Sequence, residues 1–359
     1  LVGSEMCIRD RYYETYLRGK NGEQKFYIDN VGRISEIISS TDSVAGDDLY
    51  LSIDADLQKA TYLALQNEIA AIVYSNIKSG EIPINDVYTA LIGNSVINTE
   101  HFSKSKASDT EKSVLSVFKS RQKTTLGKIK QELTSSPEAL NTMSDEVLDE
   151  FTYIISMLKD DQVLLKNEID TSDSVYQKWK DQKISPKEYL NYCITQHWID
   201  ISQLNVDEKY ADSTEVYDAL CKYILKNIKT DTEFSKIIYQ YMITRGEISP
   251  RQLCLILFDQ GVLDYDDATV NKLKNGSLSP RDFLMKKIYN IEITPAQLAL
   301  EPCIGSCVVT DEKTGEIRAM VSYPGYDSNK LANGVDSEYF ASLQHDKSSP
   351  LLNYATQQK

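Results

Sequence analysis

Residues 308–329 read VVTDEKTGEIRAMVSYPGYDSN, two apolar-rich runs separated by a short polar stretch. The runs cover residues 308–310 and 317–322, and the polar stretch ends at Gly315. Glycine tolerates the positive φ that closes such a turn, and a loop of this length between apolar runs is a hairpin signal. The pattern therefore predicts a β-hairpin whose turn contains Lys313-Thr314-Gly315.

Similar β-type patterns occur near the start of the chain. In residues 11–39, glycine breaks at 19–22 and 32 flank a β-rich run, which predicts the end of a helix followed by a hairpin. Residues 49–53, LYLSI, alternate in polarity and predict a strand, followed by a cap at Asp54 and a helix. We expect the buried face of that helix to comprise Leu57, Ala60, Thr61, Ala64, Leu65, Glu68 and Ile69.

Between these two regions, residues 76–298 show helical rather than strand periodicity. The clearest apolar stripes are Val147, Leu148, Phe151, Ile154, Ile155 and Leu158, and Val216, Leu220, Tyr223, Ile224 and Ile228. Four segments place Ser or Thr before Pro and a bonding side chain two residues later, which predicts helix N-termini: ISPKE (184–188), ISPRQ (248–252), LSPRD (278–282) and ITPAQ (293–297). We expect this block to be a helical insertion, since insertions are tolerated where a host chain enters and leaves at neighbouring points.

Composition excludes several classes of partner. The formal net charge is −14 with a pI near 4.8, and no long Lys/Arg run appears, which argues against nucleic acid and against an anionic membrane surface. The longest apolar stretches fall short of the roughly 20 residues of a membrane span. Residues 1–12 contain no apolar core of a signal peptide.

The cysteine pattern predicts neither a disulfide framework nor a metal site. The chain has six cysteines and three histidines, and no second pair accompanies Cys303 and Cys307. We expect buried, unpaired thiols; for Cys303 and Cys307 a local bridge or half of a metal site stays open.

Three parts of the chain resemble class B penicillin-binding proteins, the D,D-transpeptidases of bacterial cell-wall synthesis. YYETYLRGKNGEQKFYIDNVGR (12–33) is similar to the end of their N-terminal pedestal domain. LYLSIDADLQKATYLAL (49–65) resembles the entry strand and first helix of the transpeptidase domain. CVVTDEKTGEIRAMVSYPGYDSNKLAN (307–333) and PLLNYAT (350–356) are similar to the first hairpin and the approach to the catalytic helix.

The resemblance implies an α+β fold in which a mostly helical insertion interrupts an incomplete penicillin-binding transpeptidase domain. The expected boundaries are a disordered or sequencing-adapter-derived tail at 1–11, the C-terminal part of a β-rich pedestal (dimerisation) domain at 12–48, the start of the transpeptidase domain at 49–75, an all-helical insertion at 76–298, and the continued transpeptidase domain at 299–359.

The implied activity is cross-linking of peptidoglycan stem peptides through an acyl-serine intermediate. In the family a serine, activated by the lysine three residues on, attacks the D-Ala-D-Ala carbonyl, and β-lactams acylate the same serine. The resemblance therefore implies no metal and no organic cofactor. The resemblance further implies division or cell-wall synthesis proteins as partners, and an upstream membrane anchor that holds everything seen here on the outer face.

No catalytic residue is expected within the chain itself. In the family the catalytic Ser-x-x-Lys precedes the Lys-Thr-Gly strand, so Lys313-Thr314-Gly315 comes too early to be that strand. Five Ser-x-x-Lys matches lack the family's surroundings: Ser75-Lys78, Ser103-Lys106, Ser116-Lys119, Ser120-Lys123 and Ser156-Lys159. The nucleophile is therefore expected beyond Lys359, which would make the chain an inactive fragment of the parent enzyme.

Two departures from the family pattern affect these expectations. Tyr354 stands where the family commonly has Arg, and residues 76–298 far exceed the family's usual connection between first helix and first hairpin. The large helical block leaves open an alternative function that is not enzymatic: a non-catalytic helical scaffold or interaction module of the cell-wall synthesis machinery.

Overall fold

The computed structural model describes residues 8–28, 33–135, 138–204, 206, 212–331 and 335–357. The chain divides into two compact units. Leu1–Val73 and Ala299–Lys359 form the first, here called the β-containing unit, and Tyr74–Leu298 form the second, the helical unit. The first unit is thus assembled from two pieces that lie far apart in sequence.

The β-containing unit carries two separate antiparallel hairpins. Its elements are α1 (Ile8–Leu17), β1 (Glu23–Ile28), β2 (Ile34–Thr41), the first part of α2 (Ala55–Ser79), β3 (Gly305–Thr310), β4 (Ile317–Tyr323) and α14 (Ser337–His345). β1 pairs with β2, and β3 pairs with β4 in a register that places Cys307 opposite Val321. A 3-10 turn at Ser328–Lys330 follows the second hairpin.

Both predicted hairpins are present. The helix α1 ends at Leu17 and is followed by β1 and β2, as the glycine breaks indicate. Helix α1 begins at Ile8, inside the segment expected to be a tail, while residues 1–7 lie outside the described ranges. The prediction of an α+β fold is confirmed by helices that accompany small antiparallel sheets.

The prediction of a strand at residues 49–53 is wrong. These residues have no strand pairing, and Leu51 and Ile53 are exposed by 47% and 37%. The Asp54 N–H does donate to Arg318 O at 2.9 Å, as a ladder would require. Asp54 is also the cap that opens α2, with Oδ1 accepting from Leu57 N at 2.9 Å, so the chain turns into a helix before a second ladder bond forms.

The buried face of α2 is also different from the predicted one. Leu57, Ala60, Ala64 and Glu68 are exposed. The side that contacts the second hairpin carries Gln58, Tyr62, Leu65 and Ile69, at spacings i, i+4, i+7 and i+11. The Gly305 backbone lies so close to this side that a Cβ there would stand 3.0 Å from Ile69 Cδ1. The apolar spacing predicted the helix correctly, but the face that contacts the hairpin is rotated about the helix axis relative to the predicted one.

The helical unit consists of successive helices, and among its described residues an isolated β-bridge joins Leu164 and Ile199. After the end of α2 it contains α3 (Ile84–Gly93), α4 (Asp109–Thr134), α5 (Asp145–Asp160), α6 (Ser174–Lys180), α7 (Pro186–Thr195), α8 (Ser213–Ile228), α9 (Thr232–Thr244), α10 (Pro250–Asp259), α11 (Asp267–Asn275), α12 (Pro280–Tyr289) and α13 (Pro295–Leu298). Short 3-10 turns lie at Thr99–Ser103, Leu140–Thr142 and Ile201–Gln203.

All four predicted helix starts are confirmed. Ser185, Ser249 and Ser279 accept a hydrogen bond from the backbone N–H three residues on, directly before α7, α10 and α12. Thr294 does the same before α13, where its Oγ1 accepts from Gln297 N at 3.2 Å. The proline that follows each cap occupies the first helical position, where no N–H partner is needed.

The core of the helical unit is built around α9, which packs against α3, α4 and α5. Tyr239 on α9 is 2% exposed, with its ring stacked on Phe118 at 4.2 Å between centroids and set edge-on to Phe102 at 6.0 Å. Of the two predicted apolar stripes, Phe151, Ile154 and Leu158 are fully buried in α5, and Leu220, Ile224 and Ile228 in α8. The helical unit thus has a core of its own.

Candidate functional site

Lys313-Thr314-Gly315 forms the turn of the second hairpin. Asp311 Oδ1 accepts from the N–H groups of Lys313 and Thr314 at 2.8 and 3.0 Å, and Gly315 has φ +75°. These backbone donors lower the pKa of the Asp311 carboxyl. The tripeptide is therefore held as an exposed Asx-type turn, as its sequence context predicts.

The five Ser-x-x-Lys matches lie on the surface of the helical unit. Their serines are all exposed, on α2, α4, α5 or the 3-10 turn that precedes α4. Ser103 Oγ donates to Glu100 O at 2.9 Å, and Ser156 Oγ lies 3.5 Å from Asp160 Oδ2. The described residues give none of these serines a lysine within hydrogen-bond distance, so none is paired with the base that a serine nucleophile requires.

The main tertiary feature of the β-containing unit is the hairpin junction, where Ser52, Asp54 and Gln58 meet residues 317–320. Gln58 Nε2 donates to Met320 O at 2.6 Å, and Met320 N donates to Gln58 Oε1 at 2.7 Å. Ser52 Oγ donates to Ile317 O at 2.7 Å. The backbone groups on the outer edge of β4 are thus hydrogen-bonded by one helix side chain and one loop, where a neighbouring strand would otherwise pair.

The hairpin junction joins parts of the chain that are 262 residues apart in sequence at Gln58 and Met320. Because a side-chain amide offers one donor and one acceptor, Gln58 can reproduce the pair of bonds that a neighbouring strand would supply. Gln58 could not be predicted from the sequence, because a single polar residue on a helix carries no periodic signal. The resemblance assigned the surrounding segments, residues 49–65 and 307–333, to one domain but did not indicate the contact between them.

Replacing Gln58 by alanine is expected to leave the Met320 N–H and C=O without their partner, at a cost of about 2 kcal/mol to the β-containing unit. Hydrogen exchange followed by mass spectrometry should show faster exchange over residues 317–323. Asn67→Ala, at an exposed position of the same helix, is the matched control and should leave that exchange unchanged. Unaltered protection of β4 in Gln58→Ala would contradict the assigned role.

A second set of contacts ties the segment after β4 to the hairpin. Ser322 Oγ donates to Leu352 O at 3.2 Å and accepts from Tyr354 N at 3.0 Å. The Tyr354 phenol donates to Ser348 O at 2.9 Å, and burial raises the pKa of this phenol. Tyr354, which departs from the family pattern, thus acts here as a structural anchor.

The β-containing unit also holds an open cleft of about 410 Å³, lined by Gln58, Tyr62, Ser322, Tyr326, Asp327 and Tyr339 among others. Lys330 Nζ lies 4.6 Å from the centroid of the Tyr339 ring, and Asp327 N donates to the Tyr339 oxygen at 2.8 Å. The serine of this cleft, Ser322, is committed to backbone partners. The cleft can bind polar or aromatic groups, but its described residues do not assemble a nucleophile with a base.

Cysteines and acidic clusters add no further chemistry to the described part of the chain. Cys193, Cys221, Cys254 and Cys303 are buried free thiols, and Cys307 is free but half-buried. Burial was therefore predicted correctly for Cys303 but not for Cys307. Within the described ranges no group of three or more His, Cys, Asp or Glu is arranged to hold a metal ion. Nor does any described helix combine the length and apolar character that crossing a bilayer needs.

The strongest electrostatic cluster lies in the helical unit, around Glu146 on α5. Arg121 Nη2 lies 2.8 and 2.9 Å from the two Glu146 oxygens, and Arg245 Nη2 lies 2.6 Å from Oε2. The Glu146 side chain is 4% exposed. Glu247 completes the cluster at 3.7 Å from Arg121. Two arginines therefore compensate one buried carboxylate.

One helical turn later, Glu150 is 1% exposed. Burial, and after it the neighbouring Glu146 carboxylate, raises the pKa of Glu150 to about 8. Lys128 and Arg121 act in the opposite direction and do not cancel the effect. Glu150 therefore holds its proton to a higher pH than an ordinary glutamate does.

Comparison with known proteins finds local similarity to peptidoglycan D,D-transpeptidases. Over 50 residues the chain is 46% identical to the Escherichia coli peptidoglycan D,D-transpeptidase MrdA, covering 14% of this chain and 8% of MrdA. It is 33% identical to Escherichia coli FtsI over 106 residues, covering 30% of this chain and 17% of FtsI. It is 46% identical to Mycolicibacterium smegmatis PbpA over 57 residues, covering 15% of this chain and 12% of PbpA.

No family model matches the chain, and no solved structure matches it. The matched segments span less than a fifth of the length of these curated relatives. Parts of the chain are therefore similar to peptidoglycan D,D-transpeptidases of the class B penicillin-binding type.

Proposed function

We propose that this chain is part of a penicillin-binding D,D-transpeptidase that cross-links peptidoglycan stem peptides. The observation that carries the proposal is the hairpin junction, which joins the two segments that resemble the transpeptidase domain into one unit. Local similarity to proteins named as peptidoglycan D,D-transpeptidases supports the same reaction class.

The proposed mechanism is acyl transfer through a serine that follows Lys359. The serine, activated by a lysine three residues later, attacks the D-Ala-D-Ala carbonyl, and backbone N–H groups stabilise the tetrahedral oxyanion. The terminal D-Ala leaves, and an amine of a neighbouring stem peptide then takes the acyl group from the serine. The parent would work on the extracytoplasmic face of the membrane, held by an upstream anchor.

In this proposal residues 12–48 belong to the pedestal, residues 49–75 and 299–359 to the transpeptidase domain, and residues 76–298 to an insertion. The division of the chain at Val73/Tyr74 and Leu298/Ala299 supports the two ends of the insertion, whereas the boundary between residues 48 and 49 is a proposal from the resemblance alone. A second role, non-catalytic docking of other cell-wall synthesis proteins, suits the helical unit because that unit has its own core around Tyr239.

Labelling with a fluorescent penicillin tests the enzyme proposal. The parent protein from the complete reading frame is expected to become covalently labelled at one serine, and labelling should disappear after heat denaturation or pre-treatment with unlabelled penicillin. The 359-residue chain is expected to stay unlabelled, because its Ser-x-x-Lys serines lie on helix surfaces without a lysine partner. Absence of labelling in the parent, or labelling at one of those five serines, would refute the proposal.

A further inference from the structure

An open cleft in the helical unit combines cationic and aromatic side chains. It lies between the end of α2 and one face of α12, and has a volume of about 510 Å³. The side chains that give it its character are Tyr74, Lys78, Arg281, Met285, Lys286 and Tyr289, all of them within the helical unit. We call this the basic cleft.

The basic cleft is an exception in a protein of net charge −14. Across the described residues, Lys78, Arg281 and Lys286 have no carboxylate within ion-pair distance. The neighbouring Lys287, in contrast, is paired with Glu292. Three positive charges are thus left available at one opening.

The one acidic residue that lines the basic cleft is already engaged. Asp282 Oδ2 accepts from Ser279 Oγ at 2.6 Å, and Asp282 N donates back to Ser279 Oγ at 3.0 Å. This capping pair fixes the carboxylate at the start of α12. The basic cleft keeps a positive balance of charge because three cations line it against this one carboxylate.

Helix stabilisation explains only part of the arrangement. Arg281 Nη2 donates to Ile77 O at 3.3 Å, and a cation at the C-terminal end of α2 is favourable for the helix dipole. That role accounts for Arg281 and suits Lys78. It does not account for the aromatic surface beside them, where the Tyr289 ring is 59% exposed and meets the Tyr74 ring edge-on at 5.2 Å.

The aromatic pair and Met285 offer an apolar surface next to the charges. Met285 is 5% exposed and lies at the base of the cleft, while Tyr289 stands at its solvent side. An apolar side chain laid against Tyr289 would remove ring surface from water, which is favourable at roughly 25 cal/mol per Å². A ligand that fits both features carries several negative charges and at least one apolar group.

We propose that the basic cleft docks an acidic linear peptide segment of a partner protein, with an apolar side chain against Tyr74 and Tyr289 and carboxylates on the three cations. A phosphate ligand is less suited because the cations come from side chains alone. The N–H groups at the start of α12 are already bonded to Ser279 and do not form the cradle that phosphate favours. The inference deepens the docking role proposed for the helical unit and does not depend on transpeptidase activity.

The test measures binding of defined peptides to the whole chain by fluorescence anisotropy. The probe is a labelled peptide with glutamates around one phenylalanine, compared with the same peptide carrying glutamine for glutamate. The triple variant Lys78→Ala, Arg281→Ala, Lys286→Ala should weaken binding of the acidic peptide about 10- to 100-fold, as expected for the loss of three exposed ion pairs. The matched control removes three exposed lysines of α4, Lys112→Ala, Lys119→Ala and Lys123→Ala, and should bind like the unchanged chain.

Two further arms separate the components of the proposal. Tyr289→Ala should weaken the phenylalanine peptide several-fold more than a peptide with alanine in that place, and added salt should weaken both. Equal binding of the glutamine peptide, equal effects of the two triple variants, or tighter binding of inorganic pyrophosphate than of the peptide would overturn the proposal. Penicillin labelling of the parent is a separate readout, so failure here leaves the enzyme proposal standing.

Discussion

Replacing Glu146 by alanine is expected to lower the free energy of unfolding of the helical unit by about 2–3 kcal/mol, because the buried carboxylate is lost while Arg245 stays 39% exposed to water. The reason is that Arg121 and Arg245 would lose the carboxylate that lies 2.6–2.9 Å from them, and of the described carboxylates only Glu247, 3.7 Å from Arg121, would remain within ion-pair distance. Arg121 already has one unsatisfied donor, since its buried Nε has no hydrogen-bond partner among the described residues. Removing one member of a buried ion cluster costs more than the cluster contributes as a whole.

Tryptophan fluorescence during urea unfolding measures this effect selectively. Both tryptophans of the chain, Trp179 and Trp198, lie in the helical unit, so their emission follows that unit and not the hairpins. Glu168→Ala, at an exposed loop position, is the control and should change the free energy of unfolding by less than about 0.5 kcal/mol. A Glu146→Ala midpoint equal to that of the control would contradict the role given to the cluster.

The second large effect is a loss of stability as pH rises, caused by Glu150. Its pKa is about 8 in the folded protein against an ordinary value of 4.5, so between these pH values the folded state holds a proton that the unfolded chain has released. Stability is then highest below about pH 4.5 for this group and falls as pH rises to about 8. At 1.36 kcal/mol per pKa unit, the full fall is roughly 3–5 kcal/mol.

Glu150→Gln tests this directly because glutamine resembles the protonated acid in shape and charge. The variant should match the unchanged chain near about pH 5 and be more stable above about pH 8, with a flatter dependence between. Urea unfolding monitored by tryptophan emission across this range is the measurement. Glu168→Gln serves as the exposed control and should keep the original slope. An unchanged slope in Glu150→Gln would show that Glu150 ionises normally.

Local chemistry made the helix starts and the hairpin turn predictable. The caps at Ser185, Ser249 and Ser279 need only residues within one turn, and Gly315 needs only its own φ. The features that could not be predicted depend on contacts with residues far away in the sequence. The alternation of residues 49–53 is typical of a strand, but Asp54 begins a helix there after a single ladder bond to Arg318.

The candidate sites were less predictable than the fold. Gln58 and the basic cleft are formed by residues far apart in sequence, such as Lys78 and Arg281, and no motif joins them. The buried Glu150 shows the same limit, because in α5 it follows Glu146 at a spacing typical of a solvated helix face. The resemblance to class B penicillin-binding proteins identified which segments share a domain, but did not indicate the contacts that join them.

Four tyrosines of the helical unit donate to aspartate carboxylates on other segments, at 2.6–2.9 Å: Tyr153 to Asp231, Tyr192 to Asp173, Tyr223 to Asp161 and Tyr241 to Asp149. Burial raises the pKa of three of these phenols, and the acceptor Asp173 that of Tyr192. Each bond exists only while the phenol keeps its proton, because a phenolate and a carboxylate repel. In strong alkali these four cross-links between helices would turn into four repulsive contacts, so the same groups that fasten the helices at neutral pH would drive them apart.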